Sequence, residues 1–155
     1  MRVVVPHRWL VVAIALTLAG TFSAAQFLET PALAKETFTV IEHATTDTVV
    51  DLGDEGDSIG DTLAFGNELY DADNAEMVGM SQGSCVRTAP GKAWECTWTN
   101  VLEDGSIVVQ GPFYDTEDST LAITGGTGKY AGASGQMQLK AREGGTEFEF
   151  TFELN

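Results

Sequence analysis

Apolar and polar residues alternate along most of this chain, most plainly at its C-terminus. Phe148, Phe150, Phe152 and Leu154 interleave with Glu147, Glu149, Thr151 and Glu153. A period of two places each set on its own face of an extended strand, one buried and one wet. Shorter runs rich in β-branched and aromatic residues recur upstream, bounded by Gly, Asp, Asn and Pro. After residue 35 no apolar stripe repeats every 3.6 residues, so no helix is predicted there. The pattern predicts eight strands, over 38–43, 61–70, 77–88, 93–102, 106–114, 119–124, 134–142 and 146–154.

The connections decide how these strands pair. Pro90-Gly91, Glu103-Asp104-Gly105-Ser106 and Glu143-Gly144-Gly145 are short hairpin signals. Such loops cannot carry a parallel crossover, so neighbours in sequence pair antiparallel. A run of hairpins with one wet face either packs two sheets together or closes on itself, and closure removes the exposed edges. The fold predicted is therefore all-β: a closed antiparallel barrel of eight strands, wide enough inside for one small ligand, with a β-sandwich as the alternative.

The N-terminus reads differently. Arg2, His7 and Arg8 precede an apolar run from Trp9 to Gly20, broken only by Thr17, and small residues follow. That order is the order of a secretory signal peptide, and the run is short for a bilayer span. Cleavage after Ala34 is preferred and after Ala25 is the second choice, leaving residues 35–155 as one domain. The net charge is −15. Removing Arg2, Arg8 and Glu29 with the leader makes it more negative by one. So negative a surface repels nucleic acid and anionic lipid. The prediction is a secreted, extracellular protein that binds neither nucleic acid nor, once the leader is cut, membrane.

Export makes the two cysteines candidates for a bridge. Pairing strands across Ala89-Pro90-Gly91-Lys92 sets Cys85 directly opposite Cys96, at the separation a disulfide needs. Other chemistry is thin. Asp51–Asp57 is acidic enough to suggest calcium, but Gly53 stands where a third-position ligand belongs, so a solvated loop and no metal are predicted. Gly126-Thr127-Gly128-Lys129-Tyr130 resembles a phosphate loop only loosely. Tyr130 replaces the required Ser or Thr and no helix follows, so a tight glycine turn is predicted instead. His43 is the sole histidine after residue 35, which leaves no triad to assemble. Glu42 shares parity with Phe38 and Val40. If that face is inward, a carboxylate is buried; parity leaves the opposite face equally open. Asn67 shares parity with Leu63, Phe65 and Leu69, and could orient a ligand oxygen or satisfy a neighbouring strand.

Several blocks in order then match a known pattern. They are Gly60-Asp61, Phe65-x-Asn67-x-Leu69-Tyr70, Val78-Gly79-Met80-Ser81-x-Gly83-x-Cys85-Val86 and Asp104 through Pro112. Glu117-Asp118, Leu121 through Tyr130, Gly132 and Gly135-Gln136 complete them. From about Gly60 onward the chain resembles the allene oxide cyclase family and, more loosely, the dirigent proteins that share its barrel. The resemblance implies an eight-stranded barrel, commonly a homotrimer, that folds an unstable allene oxide into a cyclopentenone without cofactor or metal. It implies that Leu63, Phe65, Asn67, Cys85 and Phe113 line a cavity, that Glu42 is the carboxylate stabilising charge, and that Asn67 belongs with it in catalysis. The chain departs from the family at Ala44, where an asparagine aligns, at Phe113, where a tyrosine aligns, and over residues 45–50, which lack the family's Ser-Pro segment.

Three functions follow from these readings. One is an isomerase or cyclase that confines a hydrophobic small molecule. Another is a dirigent-like scaffold that steers an intermediate made elsewhere. The third is a carrier of a small apolar ligand.

Overall fold

The computed structural model describes residues 35–155. The leader predicted over residues 1–34 and both of its cleavage positions lie outside them. Nine strands form one antiparallel sheet: β1 (Glu36–His43), β2 (Thr48–Val50), β3 (Thr62–Tyr70), β4 (Met77–Ala89), β5 (Ala93–Leu102), β6 (Gly105–Tyr114), β7 (Ser119–Gly128), β8 (Gly135–Arg142) and β9 (Glu147–Leu154). Their order is β1-β9-β8-β7-β6-β5-β4-β3-β2, and β1 also pairs with β3. That last pairing, through Ile41–His43 against Glu68–Tyr70, closes an eight-stranded barrel; β2 is an extra strand on β3. The sandwich alternative is therefore set aside.

The predicted strands are all present. The differences are β2, which falls in a stretch without a clear pattern, and β7, which runs past Thr124 through the glycines to Gly128. Glycine is a poor strand former, so the sequence there reads as a turn. Packing overrides that preference. A Cβ on Gly126 would collide with the carbonyls of Ser106 and Tyr130, so only glycine lets β6 and the 129–134 connection pass this close.

The alternation predicted for β9 holds: Phe150, Phe152 and Leu154 are buried, and each large side chain removed from water contributes about 2–3 kcal/mol. They pack on Val40, Trp98, Ile107, Val109, Leu121, Met137 and Leu139 from the other walls. Gly83 and Trp98 face each other across β4 and β5, and a Cβ on Gly83 would strike the Trp98 side chain. The missing side chain is what lets the indole fill the interior. At one end Tyr130 and Ala133, both buried, close the barrel, with the Tyr130 ring 6.0 Å from Phe38. The opposite end, where β1, β4, β6 and β8 finish, stays open.

Candidate functional site

The site lies at the open end and grows out of a break in the barrel wall. Along its outer edge β3 pairs first with β2 and then with β1, but Phe65, Gly66 and Asn67 face the 44–47 connection, where there is no strand. Backbone groups there need substitute partners. Asn67 supplies them. Its Oδ1 accepts from Thr46 N at 3.0 Å, Thr45 N at 3.2 Å and Thr46 Oγ1 at 2.9 Å. Its Nδ2 donates to Asp47 Oδ1 at 2.7 Å, and Gly66 N donates to Thr46 Oγ1 at 2.8 Å. One fully buried amide thus splices β1 to β2 and fixes Asp47 over the opening.

Glu42 sits below, opposite Leu69 on β3 and Phe148 on β9. Its face is the inner one, shared with Val40, and only 5% of the residue is exposed. Oε1 has no hydrogen-bond partner, nor does the buried hydroxyl of Ser81 beside it. Burial pushes the Glu42 carboxyl up to about 7. The Ser81 hydroxyl works against that rise, the Asp47 carboxylate adds to it, and the Asn67 amide opposes it. Near neutral pH this group keeps its proton far more readily than an exposed carboxyl, which suits it to proton donation.

The walls around Glu42 are apolar. Leu63, Phe65, Cys85, Cys96, Trp98, Phe113, Leu139, Phe148 and Phe150 line a slot of about 30 Å³ with it, and Asp47 stands at its edge. That volume holds about two waters. A wider vestibule of about 270 Å³ lies outside and shares Phe113, Leu139 and Phe148 with the slot. Phe113 and Phe148 meet edge to face, with ring centroids 5.7 Å apart, between the two spaces. Cys85 and Cys96 are bonded to each other in the wall, as the register across the Pro90-Gly91 turn predicts.

Of the residues singled out in the sequence, Glu42, Leu63, Phe65, Cys85 and Phe113 come together at the slot. Asn67 does not line it; its amide is spent on the 44–47 connection. Asp47, Trp98, Leu139, Phe148 and Phe150 also line the slot and are not among the sequence candidates. Parity with Cys96 would have pointed to Trp98, and the β9 alternation to the two phenylalanines. The other candidates lie elsewhere. His43 stacks on Tyr70 at 4.2 Å and donates from Nε2 to Asn74 Oδ1 at 2.7 Å. The acidic 51–57 loop is strapped down: Asp57 pairs with Arg87 at 2.6 Å, and Asp61 accepts from Leu52 N and Ser58 N at 2.8 Å each. Lys129 pairs with Glu36 at 2.8 Å. Among the described residues no group of three or more His, Cys, Asp or Glu side chains is placed to hold a metal ion.

The model of the allene oxide cyclase family matches residues 38–155, which is most of the chain and all nine strands but the first two residues of β1. The chain belongs to the allene oxide cyclase family. Solved structures extend the likeness. A pyocyanin demethylase is 27% identical, over 77% of this chain and 100% of that one, with a TM-score of 0.68. An exo-specific intermolecular Diels-Alderase is 18% identical, over 78% and 98%, with a TM-score of 0.61. A pterocarpan synthase dirigent protein is 14% identical, over 79% and 94%, with a TM-score of 0.62; at that identity, as with the Diels-Alderase, the likeness is one of fold. In this allene oxide cyclase family barrel the slot is lined largely by aromatic rings, those of Phe65, Trp98, Phe113, Phe148 and Phe150.

Proposed function

We propose that the protein is a cyclase or isomerase that takes a hydrophobic, conjugated small molecule into the open end of the barrel and shapes its reaction by confinement. The observation that carries this is the buried, unpartnered Oε1 of Glu42 in the wall of an aromatic slot. A neutral carboxyl there donates a hydrogen bond or a proton to an oxygen of the guest as negative charge builds on it. The low-dielectric walls strengthen that interaction while they exclude bulk water. Asn67 serves the reaction by holding Asp47, and with it the acid's surroundings, in place. Leu63, Phe65, Trp98 and Phe113 hold the guest in one folded shape, so that ring closure starts from a reactive geometry. The slot as built is too small for a hydrocarbon chain, so entry requires the Phe113–Phe148 pair to part and join slot to vestibule.

Family membership supports a cyclisation, and the disulfide supports export to an oxidising compartment. A second reading has its own support: the pyocyanin demethylase is similar over its whole length, so pyocyanin belongs among the first compounds tried. The test is turnover of an allene oxide, supplied as its uncharged methyl ester, read as enantiomeric excess over the spontaneous product, in wild type and Glu42→Gln. The reading predicts an enriched enantiomer with wild type and a loss of rate of about 100-fold or more in the variant. Racemic product at the uncatalysed rate with both proteins contradicts it; a carrier would bind with equal affinity in both and turn over in neither.

A further inference from the structure

The slot and its vestibule differ sharply in chemistry, and the difference bears on which guests can enter. The slot is aromatic. The vestibule is rimmed by the β6–β7 connection, which contributes Asp115, Glu117 and Asp118. The β2–β3 connection at the same end adds the carboxylates of residues 51–57, and Asp47 stands at the slot's edge. Cations at this end are few and engaged. Arg87 lies over the Trp94 ring at 3.9 Å and is clamped by Asp57 at 2.6 Å and by both oxygens of Asp115 at 2.8 Å. Arg142 is 4.0 Å from Glu149. Lys92, on the β4–β5 turn beside Asp115, is outnumbered. Arg87 is thus fully engaged, and the carboxylates at this mouth outnumber Lys92 and the more loosely held Arg142.

Of the buried polar atoms that lack partners, two belong to residues that line the slot: Oε1 of Glu42 and Nε1 of Trp98. A buried donor without an acceptor costs stability in the free protein, and a guest that supplies the acceptor recovers it. The aromatic faces of Trp98, Phe113 and Phe148 attract a positive charge spread over a flat ring, which gives up less hydration on entry than a compact ammonium does.

We infer that this mouth selects a flat, conjugated organic cation carrying a hydrogen-bond acceptor and turns away anionic acyl chains. The carboxylates of the vestibule repel the anion and concentrate the cation, and the aromatic slot then holds its ring. This rests on the slot being the reaction site, and it goes further by assigning the charge of the substrate.

Three probes of matched ring size, each with a methoxy oxygen as acceptor, test it by titration calorimetry on the full protein near neutral pH: 6-methoxy-N-methylquinolinium (cation), 6-methoxyquinoline (neutral, hereafter quinoline) and 6-methoxy-2-naphthoate (anion, hereafter naphthoate). In about 20 mM salt the cation should bind about tenfold more tightly than quinoline, and naphthoate more weakly than either; in about 0.5 M salt the spread should collapse. Quinoline should displace the bound cation, which places both in the slot. The exposed pair Glu117→Gln and Asp118→Asn, away from the barrel's own hydrogen bonds, should narrow the spread and leave quinoline affinity unchanged. Naphthoate binding as tightly as the cation, or a spread indifferent to salt and to the double variant, overturns the charge assignment alone. Failure of all three probes to bind overturns the slot as a binding site as well.

Discussion

Glu42 is where the chemistry and the stability of this protein meet. A carboxyl at about 7 in the folded chain against an ordinary 4.5 keeps a proton that the unfolded chain has released across that interval. Stability therefore falls as pH rises from about 4.5 to about 7 and is level on either side, with a total of roughly 3 kcal/mol to order of magnitude. Glu42→Gln removes that slope. Thermal unfolding should show the variant and wild type alike near pH 4 and the variant the more stable near pH 8; parallel curves would show that the carboxyl titrates normally. Asn67 carries a different load. Asn67→Ala strands Thr45 N, Thr46 N and the Asp47 carboxylate, and should cost about 1–3 kcal/mol in urea unfolding. Parity identified both residues as candidates. It could not show which face of β1 is inner, since Val40, Ile41 and Glu42 are all buried in succession. Nor could it show that Asn67 substitutes for a missing strand, because that break exists only once β1 and β2 lie along one edge.

At the scale of elements, the strands with clean alternation were legible and those made by close approach were not. β9 declares itself because four apolar residues share one face. β2 has three exposed residues and no buried face to announce it, and the end of β7 is built of glycines whose reason for being there is the backbone they pass. The disulfide was legible because a turn fixes register: a two-residue signal at Pro90-Gly91 places Cys85 against Cys96 about 16 Å along the hairpin. The bridge spans a sequence separation of 11 and closes a short loop, so its reduction should cost about 2–3 kcal/mol. Thermal unfolding with and without a reductant measures this. Because both cysteines line the slot, reduction should also weaken guest binding; unchanged binding would show that the wall holds its shape without the bond.

For the whole molecule, closure was legible and the interior was not. Short hairpins and a single greasy face require a barrel, yet how far side chains fill it depends on rotamers that no period reveals. Trp98, Phe148 and Phe150 reduce the open end to a slot behind the Phe113–Phe148 pair. Phe148→Ala should join slot and vestibule, so that a neutral conjugated dye such as Nile red brightens and binds more tightly, at a stability cost of about 2–4 kcal/mol. No gain in dye binding would place the guest elsewhere. The account stands most directly on the state of one carboxyl in the wall of an aromatic slot. An NMR titration of the Glu42 side-chain carboxyl carbon, with and without quinoline, reads it. A midpoint near 7 that moves when quinoline binds is the predicted result; a midpoint near 4.5, indifferent to quinoline, would contradict it.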